Sequence, residues 1–128
     1  MLRTKTLCAV VLSTMVLTLV SACASQADSG LSAAEQQRIE AVEFMRPYEL
    51  SRRDVNFTAL GDVVGISCQA TMMQPAASQA EALLRLKLAA ADIGANRVIL
   101  KQCQQVSTDG CRASWRCSGD AHQQQPLR

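Results

Sequence analysis

Two segments decide the fold: Val98-Ile99-Leu100-Lys101-Gln102-Cys103 and Cys111-Arg112-Ala113-Ser114-Trp115-Arg116-Cys117-Ser118, with Asp109-Gly110 between them. The first opens on β-branched and aliphatic residues and runs on towards Val106, as a strand does. Asp-Gly is the pair that a tight hairpin turn prefers. The second segment alternates: Cys111, Ala113, Trp115 and Cys117 face one way, and Arg112, Ser114, Arg116 and Ser118 face the other. That period of two predicts a half-buried edge or hairpin strand. Val98 and Leu100 are even-numbered and Cys103 is odd, so strict alternation would separate them. A β-bulge between Leu100 and Cys103 restores a common face.

Upstream of the hairpin, Ser78 stands at a helix N-cap with Glu81 completing a capping box. Ala80, Leu83, Leu84, Leu88 and Ala91 then recur at helical spacing as one apolar face, and Gly94 ends the helix. Before it, Thr58 to Ala70 reads as a strand with irregularities at Gly61 and Gly65. Thr71 to Ala77, which contains Pro75, is a loop. The order strand, helix, strand, strand predicts an α+β fold, with one helix on a small three-stranded sheet. The polar residues 122–128 read as a flexible tail. Only Phe44, Tyr48, Phe57 and Trp115 are aromatic. A core so poor in large side chains calls for covalent support.

The amino terminus supplies the compartment for that support. Arg3 and Lys5 precede an almost wholly apolar run from Leu7 to Val20, too short for a membrane-spanning helix but suited to a secretory signal. Val20-Ser21-Ala22-Cys23 places small residues before a cysteine. This predicts cleavage after residue 22, a diacylglycerol on the Cys23 thiol and a palmitate-like chain on its freed amine. Two or three acyl chains anchor almost permanently, at about 0.8 kcal/mol per buried CH₂. Ala24 is not the Asp that retains lipoproteins in the inner membrane, so sorting to the outer membrane is expected. The expected divisions are a signal peptide over 1–22, the lipidated Cys23 and a tether over 23–56, a folded domain over 57–121 and the tail. Within the tether, Leu31 to Met45 reads either as a short helix capped by Ser32 and Glu35 and ended by Pro47, or as a solvated, partly helical segment.

Four cysteines remain in the exported domain: Cys68, Cys103, Cys111 and Cys117. An oxidising compartment pairs them, and three pairings exist. Cys111 and Cys117 on one extended strand lie roughly 20 Å apart, whereas a disulfide holds Cα atoms about 4.4–6.8 Å apart. That excludes Cys111–Cys117 and, with it, Cys68–Cys103. A hairpin turning near Gly110 sets Cys103 about opposite Cys117, which favours Cys103–Cys117 with Cys68–Cys111. The spacings of 35, 8 and 6 residues contain no close pair of the zinc-ribbon type and no C-x-x-C redox motif.

Removal of Arg3 and Lys5 leaves 11 basic residues against 11 acidic ones, so nothing points to nucleic acid. His122, the single histidine, falls in the expected tail. The carboxylates are scattered, with Asp62 best placed but explicable by a turn or cap. No phosphate-cradling glycine motif or nucleophile elbow is present. The chain is therefore read as no enzyme, without a cofactor or metal apart from the lipid on Cys23. Arg97, Lys101, Arg112 and Arg116 cluster on the hairpin, either as a face for an acidic partner or as charge that protects an edge strand.

Leu60-Gly61-Asp62-Val63-Val64-Gly65-Ile66-Ser67-Cys68-Gln69-Ala70 resembles the first strand of the RcsF family, the outer-membrane lipoprotein sensors of the Rcs envelope-stress phosphorelay. Ala95-Asn96-Arg97-Val98-Ile99-Leu100 followed by Cys103 resembles that family as well, as does Gly110-Cys111 followed by Cys117 and Gly119. The similarity covers about residues 58–121. It implies disulfides at Cys68–Cys111 and Cys103–Cys117. It also implies signalling through the inner-membrane regulator IgaA, with BamA and outer-membrane porins as further partners and the domain facing the periplasm. The family's tether is long, Pro-rich and basic, whereas Ala24 to Asn56 holds a single proline, Pro47. The alternative from another class is a structural or binding periplasmic lipoprotein with no signalling role. A third reading, a periplasmic thiol-redox enzyme, requires a reactive exposed cysteine.

Overall fold

A computed structural model describes residues 30–127. The signal segment and Cys23 lie outside the described residues. Helix α1 (Ala33–Glu40) is followed by a two-residue strand β1 (Glu43–Phe44), a 3₁₀ turn (Pro47–Ser51) and a long strand β2 (Val55–Gln69). Helix α2 (Gln79–Asp92), strand β3 (Arg97–Gln105) and strand β4 (Ala113–Pro126) complete the chain. The sheet has four strands in the order β1-β3-β4-β2, so the class is α+β. β4 is antiparallel to both neighbours and β1 is parallel to β3.

The short strand β1 is what three-stranded expectation lacked. Two residues carry no period, but Glu43 N–H donates to the Asn96 carbonyl and Met45 N–H to that of Val98. The same contacts correct the helix reading over 31–45. Ser32 and Glu35 form the reciprocal capping box, and the helix then stops at Glu40, because Val42 turns inward and its neighbours pair with β3. Ile39, Val42 and Met45 are buried. The compact unit therefore begins at Leu31, and most of the segment read as tether belongs to the folded domain.

The core lies between α2 and one face of the sheet. It is built from Val42, Val63, Ala82, Leu86, Ala90, Ala95, Val98, Cys117 and Ala121. The buried stripe of α2 is Ala82-Leu86-Ala90 at i, i+4, i+8, flanked by Leu83, Ala89 and Ala91, while Ala80 is exposed. The predicted apolar face is thus rotated, because the helix packs closest along Ala82 and Leu86, where the sheet presents a glycine. Gly65 shows why: a Cβ there would stand 2.2 Å from both the Ala82 carbonyl oxygen and Leu86 N. Glycine inside a strand marks such a close approach. Full burial of Leu86 stabilises the fold by about 1.5–3 kcal/mol.

Both ends of α2 are fixed locally. Ser78 Oγ accepts from Glu81 N–H at 3.1 Å, but Glu81 does not return the bond to close a box. Its carboxylate accepts instead from Ser67 Oγ of β2 at 2.6 Å, and Ser67 Oγ accepts from Ser78 N–H at 3.0 Å. Ser67 is fully buried, so this triad satisfies a polar group inside the core. At the other end Gly94 has φ +84°, a conformation glycine adopts without strain, and Ala95 N–H returns to the Ala90 carbonyl.

The hairpin loop is longer than a two-residue turn. β3 ends at Gln105 and β4 begins at Ala113. Cys111 therefore lies in the loop and not on the strand. Ser114 Oγ donates to the Val106 carbonyl at 2.6 Å and Arg112 N–H donates to the Gln69 carbonyl at 2.6 Å, which ties the loop to both strands. β4 then continues through Pro126, paired with β2 as far as Val55. The segment 122–128 is strand up to Pro126, not a flexible tail: its polar side chains are carried by a backbone laddered to β2.

Candidate interaction surface

The sheet has a second face, turned away from α2. Register and pleat assign it. Val98, Cys103, Cys117 and Ala121 face the helix, so the facing partners one residue along point the other way. This open face carries Asp62, Val64, Ile66 and Cys68 from β2, Arg116, Ser118, Asp120 and His122 from β4, and Arg97, Ile99, Gln102 and Gln104 from β3. β3 shifts register between Leu100 and Gln102, with Lys101 at the bulge. The bulge lets Val98 and Cys103 share the core face.

The two disulfides lie on opposite faces of the sheet. Cys103 and Cys117 are directly paired across β3 and β4 with Cα atoms 4.1 Å apart, and Cys117 is fully buried in the core. Cys68 on the open face is bonded to Cys111 of the hairpin loop, at a Cα separation of 5.5 Å. The two closed loops span sequence separations of 43 and 14 residues and interleave. In the chain-entropy account such loops contribute about 3–4 kcal/mol each.

Half of the basic cluster expected on the hairpin, Arg97 and Lys101, is paired with carboxylates. Lys101 Nζ stands 2.9 Å from carboxylate oxygens of both Asp62 and Asp120, residues that face each other across β2 and β4. Hydrogen bonding to Lys101, then to Asp120, holds the Asp62 carboxyl below its ordinary value. Hydrogen bonds to Asp120 and Asp62 raise the Lys101 ammonium above its own. Arg97 donates to the Asn96 carbonyl at 2.7 Å and lies 3.6 Å from Glu43. Arg112 is in the exposed loop, and Arg116 on β4 is without an ion pair among the described residues. The carboxylates responsible come from separate strands, so linear spacing concealed them. β4 is central in the sheet, and this removes the edge-protection reading of Arg116, while Arg112 lies outside the strands.

Asp62 is thus an ion-pair partner in mid-strand, not a turn or cap residue. His122 is not in a tail: it is 8% exposed on β4, with Nδ1 3.3 Å from the Asp120 carbonyl oxygen. Leu50 of the 3₁₀ turn joins Ile99, Asp62, Asp120 and His122 around a depression of about 300 Å³. This covers one end of the face. The other end, with Ile66 at 41% exposed beside Val64, Arg116, Gln102 and Gln104, is open. The described residues include no group of three or more His, Cys, Asp or Glu placed to hold a metal ion. Among them no helix is long and apolar enough to cross a membrane. The surface offers hydrogen-bonding, apolar and charged groups suited to a protein contact.

A search of curated proteins finds no match to this chain. The sequence profile of the RcsF lipoprotein family matches residues 22–124, extending beyond the segments quoted above at both ends. With that match spanning most of the chain, and with an α+β domain carrying the interleaved bonds Cys68–Cys111 and Cys103–Cys117, the protein belongs to the RcsF lipoprotein family.

Proposed function

We propose that this chain is an outer-membrane lipoprotein that senses envelope stress and activates the Rcs phosphorelay through protein–protein contacts. The family match over residues 22–124 carries the reading. The open sheet face supports it, because its exposed apolar, polar and charged groups suit a protein contact. In this reading Cys23 bears the lipid, the domain faces the periplasm, and an IgaA-like inner-membrane regulator is the signalling partner. BamA and porins would hold the protein in unstressed cells.

The tether gives the proposal a particular geometry. Eight peptide steps separate Cys23 from Leu31, the first residue of the compact unit. Fully extended they reach about 29 Å at most. The domain therefore works close to the membrane that holds its lipid, in contrast to the long Pro-rich tether of the family pattern. Access of the partner to that layer, not travel of the domain, is then the controlled step.

Crosslinking in intact cells tests this directly. Before envelope damage the protein should be recovered with outer-membrane partners, and after damage with the inner-membrane regulator. An unchanged set of partners would contradict a sensing role and favour a structural or binding lipoprotein.

A further inference from the structure

The two outer strands of the main ladder, β3 and β2, are defended differently. β3 is partly covered by β1 and carries the Lys101 bulge, and both features obstruct pairing with a foreign strand. β2 pairs with β4 on one side and has no strand on the other among the described residues. Its own bulge lies low, between Ala59 and Gly61. From Asp62 to Cys68 it contains no proline and no basic residue, only Asp62 at one end.

The direction of the free peptide groups follows from two hydrogen bonds. The Gln69 carbonyl points towards β4, where it accepts from Arg112 N–H. Ala70 N–H points the opposite way and is taken by the Gln74 side chain at 2.9 Å. Peptide groups alternate along a strand, so the N–H and C=O of Asp62, Val64, Ile66 and Cys68 point outward. The side chains of these same residues lie on the open face. Gln74 caps the row at its upper end and the bulge closes it at the lower.

We infer that this edge is a docking site for one extended strand of a different protein. Its backbone would pair with Val64 and Ile66 and its apolar side chains would lie against theirs, with a basic side chain towards Asp62. Charge sets that last feature: the single Lys101 ammonium is shared between Asp62 and Asp120, which leaves one negative charge in excess, and the Asp62 side chain is 77% exposed on the row. A second copy of this chain does not fit. α2 rises over β2 with no room even for a Cβ at Gly65. Antiparallel pairing about that point would place two such helices on one face, above strands about 4.8 Å apart. Packed helices need about 8–10 Å. The occupant is therefore a strand bare of a covering helix on that side, a recognition mode in which backbone bonds give affinity and alternate side chains give specificity.

The inference deepens the signalling reading, since the docked strand would belong to the stress-dependent partner. The test uses the full lipoprotein in intact cells, with a photo-crosslinking residue at Val64 and, for comparison, at Gln104 on β3. Each is combined with Ile66→Pro, which removes the outward N–H and the apolar side chain without taking a hydrogen bond from β4, or with Ile66→Lys, which leaves the backbone intact if proline impairs folding. Non-reducing electrophoresis reports retention of both disulfides, and Rcs output is read in the same cells. We expect a discrete heterologous adduct from Val64, weakened at least about tenfold by each Ile66 change, a loss equivalent to about 1.4 kcal/mol. No adduct at Val64, an adduct indifferent to both changes, or an adduct of two copies of this chain would overturn the inference. An indifferent adduct with normal stress output removes the edge but leaves the signalling reading. A lost adduct with unchanged stress output keeps the edge and counts against the signalling reading.

Discussion

Gly65 of β2 lies so close beneath Leu86 of α2 that a Cβ at residue 65 would meet Leu86 N at 2.2 Å and Leu86 Cα at 2.7 Å. The obstacles are backbone atoms of a helix fixed at both ends, so they have little freedom to yield. Gly65→Ala should destabilise the domain by at least about 1–3 kcal/mol, the range for overpacking. Denaturant titration of the disulfide-intact protein checks this. Gly61, where a Cβ would meet nothing within 4 Å, provides a contrast in which strain arises from backbone conformation instead.

Ser67 is buried and links β2 to the start of α2, donating to Glu81 and accepting from Ser78 N–H. Ser67→Ala leaves that N–H and the carboxylate without their partner. The expected cost is about 1–3 kcal/mol, the penalty for an unsatisfied buried group. Thermal unfolding should show the loss, and hydrogen exchange should place it at the first turn of α2.

Graded reduction of the native protein should open Cys68–Cys111 before Cys103–Cys117. Exchange requires a thiolate to reach a sulfur. Cys68 is exposed, whereas Cys117 is fully buried. Alkylation followed by mass spectrometry after increasing reductant should label Cys68 and Cys111 first. Simultaneous labelling of all four would show that reduction proceeds by global unfolding.

Lys101 separates two carboxylates that face each other across β2 and β4. The Asp62 pKa is lowered from 3.8, so its stabilising contribution is present above that pH and is lost as pH falls through the lower folded value. The Lys101 pKa is raised from 10.5, so its contribution is present below that pH and is lost as pH rises through the higher folded value. Lys101→Met should lower the melting temperature at neutral pH. The deficit should shrink below about pH 4 and in high salt, because protonation and screening both relieve the repulsion. A deficit independent of pH and salt would assign Lys101 a packing role.

The legible parts of this fold were those written in local chemistry. The Ser78 cap and Gly94 stop bound α2, and the mismatch between Val98 and Cys103 located the β3 bulge. What lay hidden depended on distant partners. β1 is two residues held by Asn96 and Val98, and the strand beyond His122 is polar and stabilised by its ladder to β2. Glu81 satisfied a capping pattern yet bonds Ser67, since the packed strand offers its hydroxyl there. The candidate surface suffered most: Arg97 and Lys101 read with Arg112 and Arg116 as one cationic patch, but Glu43, Asp62 and Asp120 pair the first two.

The central claim is that this lipoprotein reports envelope damage to the Rcs phosphorelay. Its most direct test measures an Rcs-dependent reporter, during outer-membrane or peptidoglycan damage, in cells deleted for this chain and in the same cells with it restored. The account predicts a response absent from the deletion and recovered with the intact chain. Full induction in the deletion strain would contradict it.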